Sequence, residues 1–172
     1  LSTNGSLNAL GVGHSRSNWS MILWWLALSN AYMPQSQTDD WATPIDLWEK
    51  LDAIHNFDVD AAASQANHLC LNWYGLDHEN PNRRDGLNAS WNGRTVWINP
   101  PYGRIIAEWT KAAQRHADGG GAVVMLLPSR TDTRWFHEYC LPNDVEFIKG
   151  RLKFGGSLVS APFPSMIVRF NA

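Results

Sequence analysis

Hydrophobic residues recur at helical spacing in three stretches of this chain. The first stretch predicts a helix that Thr43 caps and Pro44 begins, because a hydroxyl residue and a proline are favoured at those two positions. A second helix is predicted to end at the glycines of residues 119–121, and a third to begin at residues 131–133 and stop at Pro142. The apolar positions behind these predictions are Ile45, Trp48, Leu51 and Ile54, then Ile105, Trp109, Ala112 and Ala113, then Trp135, Phe136 and Tyr139.

Other apolar segments have the spacing and composition of β-strands. Residues 57–60 alternate apolar and acidic side chains, whereas residues 95–98 and 122–127 are largely apolar, as in strands buried on both faces of a sheet. After the first strand, residues 61–64 predict a tight turn and residues 64–70 a short helix. The remaining predicted strands are residues 72–76, 145–148 and 165–170.

The order of these elements predicts a fold class. Strands and helices alternate along most of the chain, and the chain then finishes on a pair of strands. This order predicts an α/β fold with a doubly wound, mostly parallel sheet and an antiparallel C-terminal edge. Ligands bind such sheets at the carboxyl ends of the strands. The turns expected to share that rim follow Asp60, Asp77, Ile98 and Leu127.

Composition describes a folded protein with one main domain. The chain has 172 residues, of which 44% are hydrophobic and only 17% charged, enough apolar material for a real core. We expect residues 39–172 to form this domain. Residues 1–38, rich in Ser, Asn and Gly, are expected to be a poorly ordered N-terminal extension. The apolar run at residues 21–28 is too short to cross a bilayer, so no membrane association is predicted.

Charge is distributed unevenly although the net charge is only −2. Residues 1–100 carry 5 Lys and Arg against 10 Asp and Glu, whereas residues 101–172 carry 9 against 6. The second half is therefore a candidate for contact with phosphates, although a chance fluctuation explains the numbers equally well. Cys70 and Cys140 both lie in apolar contexts and predict buried free thiols. Scattered histidines give no spacing typical of a metal site.

The tetrapeptide Asn99-Pro100-Pro101-Tyr102 follows the apolar strand at residues 95–98. Asn99 offers a side-chain carbonyl oxygen, and Pro100 offers a main-chain carbonyl on a backbone of fixed φ. Two such acceptors could bind the hydrogens of an aromatic amine and make its nitrogen more nucleophilic. Tyr102 offers a ring on which a base could stack. The other interpretation is an ordinary Pro-Pro turn after a strand.

With this motif in place, the chain resembles the phage-encoded, Dam-like DNA N-6-adenine methyltransferases, which use S-adenosylmethionine. The resemblance covers roughly residues 40 to 170. It implies a Rossmann-like class I methyltransferase fold, double-stranded DNA as the partner, and a place in the cytoplasm of a bacterial host cell. The stretches that carry it are residues 41–44, 60–64 with Asn67 and Cys70, 96–103, 127–133 with 135–137, 150–154 and 161–165.

The resemblance also implies roles for individual residues. Catalysis would belong to Asn99, Pro100, Pro101 and Tyr102, with the adenine extruded from the duplex because its amine is otherwise paired. The candidates for binding the cofactor are Thr43, Pro44, Asp60, Ala61, Ala62, Ser64 and Asp77. The candidates for contacting DNA or shaping the base pocket are Arg130, Arg151, Lys153, Phe154 and Phe163.

Simpler roles remain open for several of these residues. Asp60 could only cap the segment that follows it, Asp77 could be an ordinary turn residue, and Arg130 could be a solvated charge. Most methyltransferases of this fold carry glycines in the turn that corresponds to residues 61–64. This chain lacks those glycines. The Dam-like phage group lacks them as well. Other functions compatible with the motif are methylation of RNA or of a protein glutamine, and a non-catalytic DNA-binding prophage remnant.

Overall fold

The computed structural model describes residues 41–92 and 94–171. The expectations for the N-terminal extension and its apolar run therefore lie outside the described residues. Within the described part of the chain, five strands form one mixed sheet. They are β1 (Val59–Asp60), β2 (Thr95–Ile98), β3 (Ala122–Pro128), β4 (Asp144–Phe147) and β5 (Ser165–Phe170).

The strand order across the sheet is β1-β2-β3-β5-β4. Strands β1, β2 and β3 are parallel, and β5 is antiparallel to both β3 and β4. Four strands thus run in one direction and β5 alone runs in the other. The predicted α/β class and antiparallel C-terminal pair are confirmed, with the last strand of the chain inserted beside the edge strand β4.

In residues 41–92 and 94–171, two α-helices accompany the sheet, α1 (Ile45–His55) and α2 (Ile106–Asp118). α1 ends at Asn56, whose φ of 51° is the left-handed conformation common after a helix. α2 ends at Gly119, as its sequence predicts. The third predicted helix is a π-helix at Phe136–Cys140, in which the Leu141 amide donates to the Phe136 carbonyl at 2.8 Å. No helix in the described residues is both long and apolar enough to cross a membrane.

Side chains of the two central strands form the core. All residues of β3 after Ala122 are buried, as are the last three of β2. Trp91, Trp97 and Trp109 are buried as well. Cys70 and Cys140 are free and buried, as predicted, and burial raises the pKa of each thiol to about 12. The core therefore gives the sheet a rigid centre whose strand ends position the site.

Three local predictions were wrong. Thr43 does not cap α1: the residue before the helix is Pro44, and no side chain caps the first turn. The helix expected at residues 64–70 is a single turn. In that turn the Asn67 and His68 amides donate to the Ser64 carbonyl. The helical pattern does not continue, because the Leu69 amide donates to Asp60 Oδ2.

The strand expected at residues 72–76 is reduced to one bridge, in which Trp73 pairs with Asp60 in the parallel sense. Its neighbour β1 is only two residues long, so the ladder ends where the chain turns at Ala61. The Gly75 amide then leaves the sheet and donates to the Arg83 carbonyl at 3.0 Å. Asp77 consequently lies in a loop rather than at the end of a regular strand.

Candidate functional site

Most of the predicted site residues lie at the edge of the sheet where the parallel strands have their carboxyl ends. Parallel pairing places Asp60, at the end of β1, opposite Trp97 of β2, and Asn99 follows that strand. The antiparallel strand β5 begins at the same edge, so that the Ser129 amide after β3 donates to the Pro164 carbonyl at 2.9 Å. Phe163 is thereby drawn to this edge although it is 64 positions from Asn99 in sequence.

Asn99 is held by hydrogen bonds at one end of its side-chain amide. Its Nδ2 donates to the main-chain carbonyl of Trp41 and, at 3.0 Å, to the hydroxyl of Thr43. Only the nitrogen can face a carbonyl oxygen favourably, so the orientation of the amide is determined. Its Oδ1 is buried and has no hydrogen-bond partner among the residues that the structure describes. A buried acceptor without a donor costs roughly 1–3 kcal/mol, and a ligand that donates there would recover it.

Asp60 lies at the end of β1 and is 3% exposed. Its Oδ1 accepts from the Ala62 amide at 3.4 Å and its Oδ2 from the Leu69 amide at 3.1 Å. Burial raises the pKa of this carboxyl to about 6, against the opposing effect of those two amides. A carboxylate has about four acceptor positions, so it keeps capacity for a further donor. A cationic group would also offset the cost of burying its charge.

A small cavity joins Asn99 to Asp60. Its volume is about 20 Å³, room for little more than one water. A larger ligand therefore requires the surrounding segments to move apart. The cavity is lined by Trp41, Ala42, Thr43, Asp60, Ala62, Asn67, Leu69, Trp97 and Asn99.

A larger cavity of about 240 Å³ lies against residues 87–91 and α2. It includes His116, whose ring nitrogen is 2.8 Å from the carbonyl of Arg94, just before β2 begins. This cavity is therefore at the amino end of the strand, away from Asn99. The strand directions, rather than cavity size, locate the candidate site.

Beside Asn99 lies a group of four rings, the aromatic cluster, formed by Trp41, Tyr102, Phe154 and Phe163. Trp41 packs edge-on against Phe154 and Phe163, with ring centroids 5.2 and 5.1 Å apart. Tyr102 packs on the same two rings at 6.1 and 5.5 Å. The cluster thus joins three distant segments of chain into one wall.

Tyr102 does not present the open ring face that the sequence indicated. The residue is only 7% exposed, its hydroxyl donates to the Leu126 carbonyl at 3.3 Å, and burial raises the pKa of its phenol. Stacking of a base on Tyr102 stays a prediction, and it requires the neighbouring phenylalanine rings to separate. Pro100 is buried and Pro101 exposed. Among the described backbone hydrogen bonds, none ends on the Pro100 carbonyl.

The glycine-free turn at residues 61–64 is closely packed by glycines from elsewhere. A Cβ on Gly86 would lie 1.9 Å from the Ala61 carbonyl oxygen, and one on Gly75 would lie 2.0 Å from that of Ala63. Both contacts exclude any side chain. The sequence analysis missed these two residues, because nothing local to Gly75 or Gly86 shows which carbonyl they meet.

The remaining cofactor candidates lie around that turn. Ala61 is buried and its amide donates to the Trp97 carbonyl at 3.0 Å, whereas Ala62 is half-buried. Asp77 is exposed, and both of its carboxylate oxygens accept from the Gln65 amide, at 3.2 and 3.0 Å. Asp77 is thereby held next to Ser64 despite the missing strand.

Exposed basic residues surround this edge of the sheet. Arg130 follows β3, and Arg151 and Lys153 lie in the segment that leads from β4 to β5. The structure adds two that the sequence analysis did not select, Arg104 after the Asn-Pro-Pro-Tyr turn and Lys149 after β4. The five form no salt bridge with any residue in the described ranges. They give the edge a positive field suited to phosphates.

Comparison with known proteins gives one family and two curated relatives. The family model described as DNA N-6-adenine-methyltransferase (Dam) matches residues 30–165. The chain is 33% identical over 106 residues to a DNA N-6-adenine-methyltransferase of Escherichia phage T1, covering 61% of this chain and 42% of the phage protein. It is 30% identical over 116 residues to one of Haemophilus phage HP1 (strain HP1c1), covering 66% of this chain and 63% of that protein. The aligned segments thus span less than two thirds of either relative.

Proposed function

Because the chain belongs to the DNA N-6-adenine-methyltransferase (Dam) family, we propose that it transfers a methyl group from S-adenosylmethionine to the N-6 amine of adenine in double-stranded DNA. The observation that carries this proposal is the Asn99 side chain, whose amide nitrogen is fixed and whose buried oxygen has no donor among the described residues. The adenine amine is a donor of the required kind. The activity would be exercised on DNA within the bacterial host cell.

We also propose a fold family and domain bounds for this chain. The order of the strands and the reversed strand β5 support a Rossmann-like class I methyltransferase fold. The domain would comprise residues 39–172. Asp60 and Asn99 then lie at the ends of neighbouring parallel strands, where such a sheet binds its ligands.

The residues present suit S-adenosylmethionine. The cavity between Asp60 and Asn99 contains a buried carboxylate with unused acceptor positions, which fits the ammonium group of the methionyl end. Asp77, held beside Ser64, offers oxygens for ribose hydroxyls. When bound, the cofactor supplies a methyl group activated by a positively charged sulfur. The residues that would hold it are Thr43, Pro44, Asp60, Ala61, Ala62, Ser64 and Asp77.

The protein would contribute mainly position and electrostatics. Asn99 Oδ1 and the Pro100 carbonyl would accept the two amine hydrogens, which keeps electron density on the nitrogen and stabilises the positive charge that develops there. Both acceptors are restrained, since hydrogen bonds to Trp41 and Thr43 orient the Asn99 amide and the proline ring fixes φ at Pro100. Fixed acceptors need no reorganisation during the reaction.

The adenine would enter through the aromatic cluster. Tyr102, Phe154 and Phe163 would part and then enclose the extruded base, with Tyr102 stacking on it. Contacts among the three rings shield them from solvent, with Tyr102 and Phe154 buried and Phe163 half-buried. Arg130, Arg151 and Lys153 would hold the DNA backbone without reading its sequence.

The deciding experiment is transfer of a labelled methyl group to DNA that lacks adenine methylation, followed by nucleoside analysis. Wild-type protein should yield labelled N-6-methyladenine, and Asn99→Ala should yield none while retaining its fold and cofactor affinity. Asn82→Ala, which alters an exposed asparagine that does not line the cavity, is the matched control and should be active. An active Asn99→Ala protein would refute the proposed mechanism. Labelled RNA or protein, with no label in DNA, would show that the substrate is not DNA.

A further inference from the structure

Two neighbouring apolar side chains are almost fully exposed near the candidate site. Leu158 is 92% exposed and Val159 is 75% exposed. They lie in the tip loop, defined here as residues 155–161. Single exposed apolar residues are common on protein surfaces and need no explanation. What distinguishes this pair is its connection to the site.

Both ends of the tip loop are anchored at the wall of the site. Phe154, directly before the loop, and Phe163, two residues after it, belong to the aromatic cluster beside Asn99. The Gly155 amide donates to the Ala42 carbonyl at 2.8 Å, and Ala42 also lines the cavity between Asp60 and Asn99. The tip loop is therefore next to both the aromatic cluster and the cavity.

The loop's backbone directs the pair outward. Gly155 has a φ of 56°, the left-handed conformation that lets the chain turn sharply after Phe154. The Ala161 amide donates to the Leu152 carbonyl at 2.8 Å and closes the base of the loop. The Ser157 hydroxyl accepts from the Val159 amide at 3.1 Å, which organises the tip.

The residues around Leu158 and Val159 favour a binding partner that is negatively charged outside and apolar inside. Arg151 and Lys153 are exposed on the segment that enters the loop. Two apolar side chains are far too few for a protein interface, which buries about 800 Å² on each partner. A DNA duplex offers phosphates on its outside and stacked bases within, matching the basic residues and the apolar tip respectively.

We propose that Leu158 and Val159 form a wedge that enters the base stack of duplex DNA and fills the gap left by the extruded adenine. This inference rests on the proposed function. Extrusion removes the stacking contacts of one base, and an apolar side chain in the gap replaces part of that contact. The wedge and the aromatic cluster are joined by Phe154, so insertion and capture of the base occur on one connected segment.

The test compares methyl transfer to native and to heat-denatured DNA that lacks adenine methylation. In the Leu158→Ala/Val159→Ala protein, the rate on native DNA should fall at least about tenfold, because extrusion from a duplex costs a few kcal/mol that the wedge offsets. The rate on denatured DNA should stay within about twofold of wild type. Leu71→Ala, at a leucine that is 98% exposed, is the matched control and should leave both rates unchanged.

A second measurement uses a duplex whose target adenine lies opposite a mismatched base. Such a base is easier to extrude, so the double variant should recover most of its rate there. Equal losses on native and denatured DNA, or an unchanged rate on native DNA, would overturn the wedge. A wild-type protein that methylates neither DNA refutes the proposed function itself, which separates the two failures.

Discussion

The hydroxyl of Thr43 accepts a hydrogen bond at 3.0 Å from the side-chain amide of Asn99, 56 positions away in sequence. Thr43 lies one residue before the N-cap position of α1, which Pro44 occupies, and the helix begins without a side-chain cap. Capping contributes about 1 kcal/mol to helix stability. α1 therefore lacks the stability that a cap would add. The Thr43 hydroxyl instead helps to orient the Asn99 amide, whose Oδ1 is the acceptor at the candidate site.

Thr43→Val should reduce the rate of methyl transfer more than cofactor affinity. Removing one acceptor leaves Asn99 Nδ2 with the Trp41 carbonyl alone, so the side chain is held less firmly. A lost hydrogen bond of about 1 kcal/mol corresponds to roughly a fivefold lower kcat. Thr43→Ser keeps the hydroxyl and should be close to wild type. A fall in cofactor affinity at unchanged kcat would show that Thr43 acts on the cofactor alone and does not position Asn99.

Asn99→Asp should be strongly impaired at neutral pH. The substitution places a carboxylate oxygen where Nδ2 now donates to the Trp41 carbonyl, and two acceptors repel each other. Leaving a buried charged group without its donor costs about 3 kcal/mol, or a loss on the order of 100-fold in rate. Protonation restores a donor, so the rate should rise as pH falls. A flat pH profile relative to wild type would contradict this explanation.

Asp60 should make both stability and cofactor binding depend on pH. Burial raises the pKa of Asp60 from 3.8 to about 6, so the folded state binds this proton more tightly than the unfolded state does. The resulting stabilisation is complete below pH about 4 and is lost as pH rises through 6. Its size is on the order of 3 kcal/mol.

The measurement is urea unfolding of wild type and Asp60→Asn between pH 4.5 and 7.5 without cofactor. The difference in the free energy of unfolding between the two proteins should change across this range. As pH rises, the free energy of unfolding should fall less for Asp60→Asn than for wild type. Cofactor affinity of the wild type should follow the opposite course, rising above pH 6 as the carboxylate ionises. Parallel stability curves for the two proteins would refute the assignment.

Gly86→Ala should destabilise the fold by at least about 2 kcal/mol. Its Cβ would lie 1.9 Å from the Ala61 carbonyl oxygen, so backbone must shift. Because that carbonyl belongs to the turn beside Asp60, cofactor affinity should fall as well. Gly119→Ala is the matched control, since its nearest contact is an ordinary 3.4 Å and its φ is −86°. Thermal unfolding of the two variants tests the difference.

Arg151→Ala and Lys153→Ala should each weaken DNA binding without changing sequence preference. Each phosphate contact removed should reduce the dependence of log K on log salt concentration by about one unit. Lys111→Ala, at an exposed lysine in the middle of α2, should leave that slope unchanged. Binding isotherms at several salt concentrations measure the slopes, and identical slopes for all four proteins would argue against phosphate contact by Arg151 and Lys153.

The sequence by itself determined the sheet and the position of the motif. Strand β2 has the predicted bounds, β3 extends one residue beyond its predicted end, and α2 ends at the predicted glycines, where Gly120 has a left-handed φ of 86°. These features depend on local periodicity and on residues that permit or forbid a backbone conformation. The shared rim of Asp60 and Asn99 also followed, because parallel strands bring their carboxyl ends together.

Only the tertiary structure decided how the site is arranged within that rim. The segment at residues 64–70 forms only a single turn, and its Leu69 amide donates to the side chain of Asp60 rather than to a helical carbonyl. Tyr102 is enclosed because Phe154 and Phe163 arrive from a distant loop. Such contacts join residues far apart in sequence, and their geometry depends on how neighbouring segments pack. The local sequence was therefore enough to predict Asn99 as the acceptor. It could not show which groups bind and orient the Asn99 side chain.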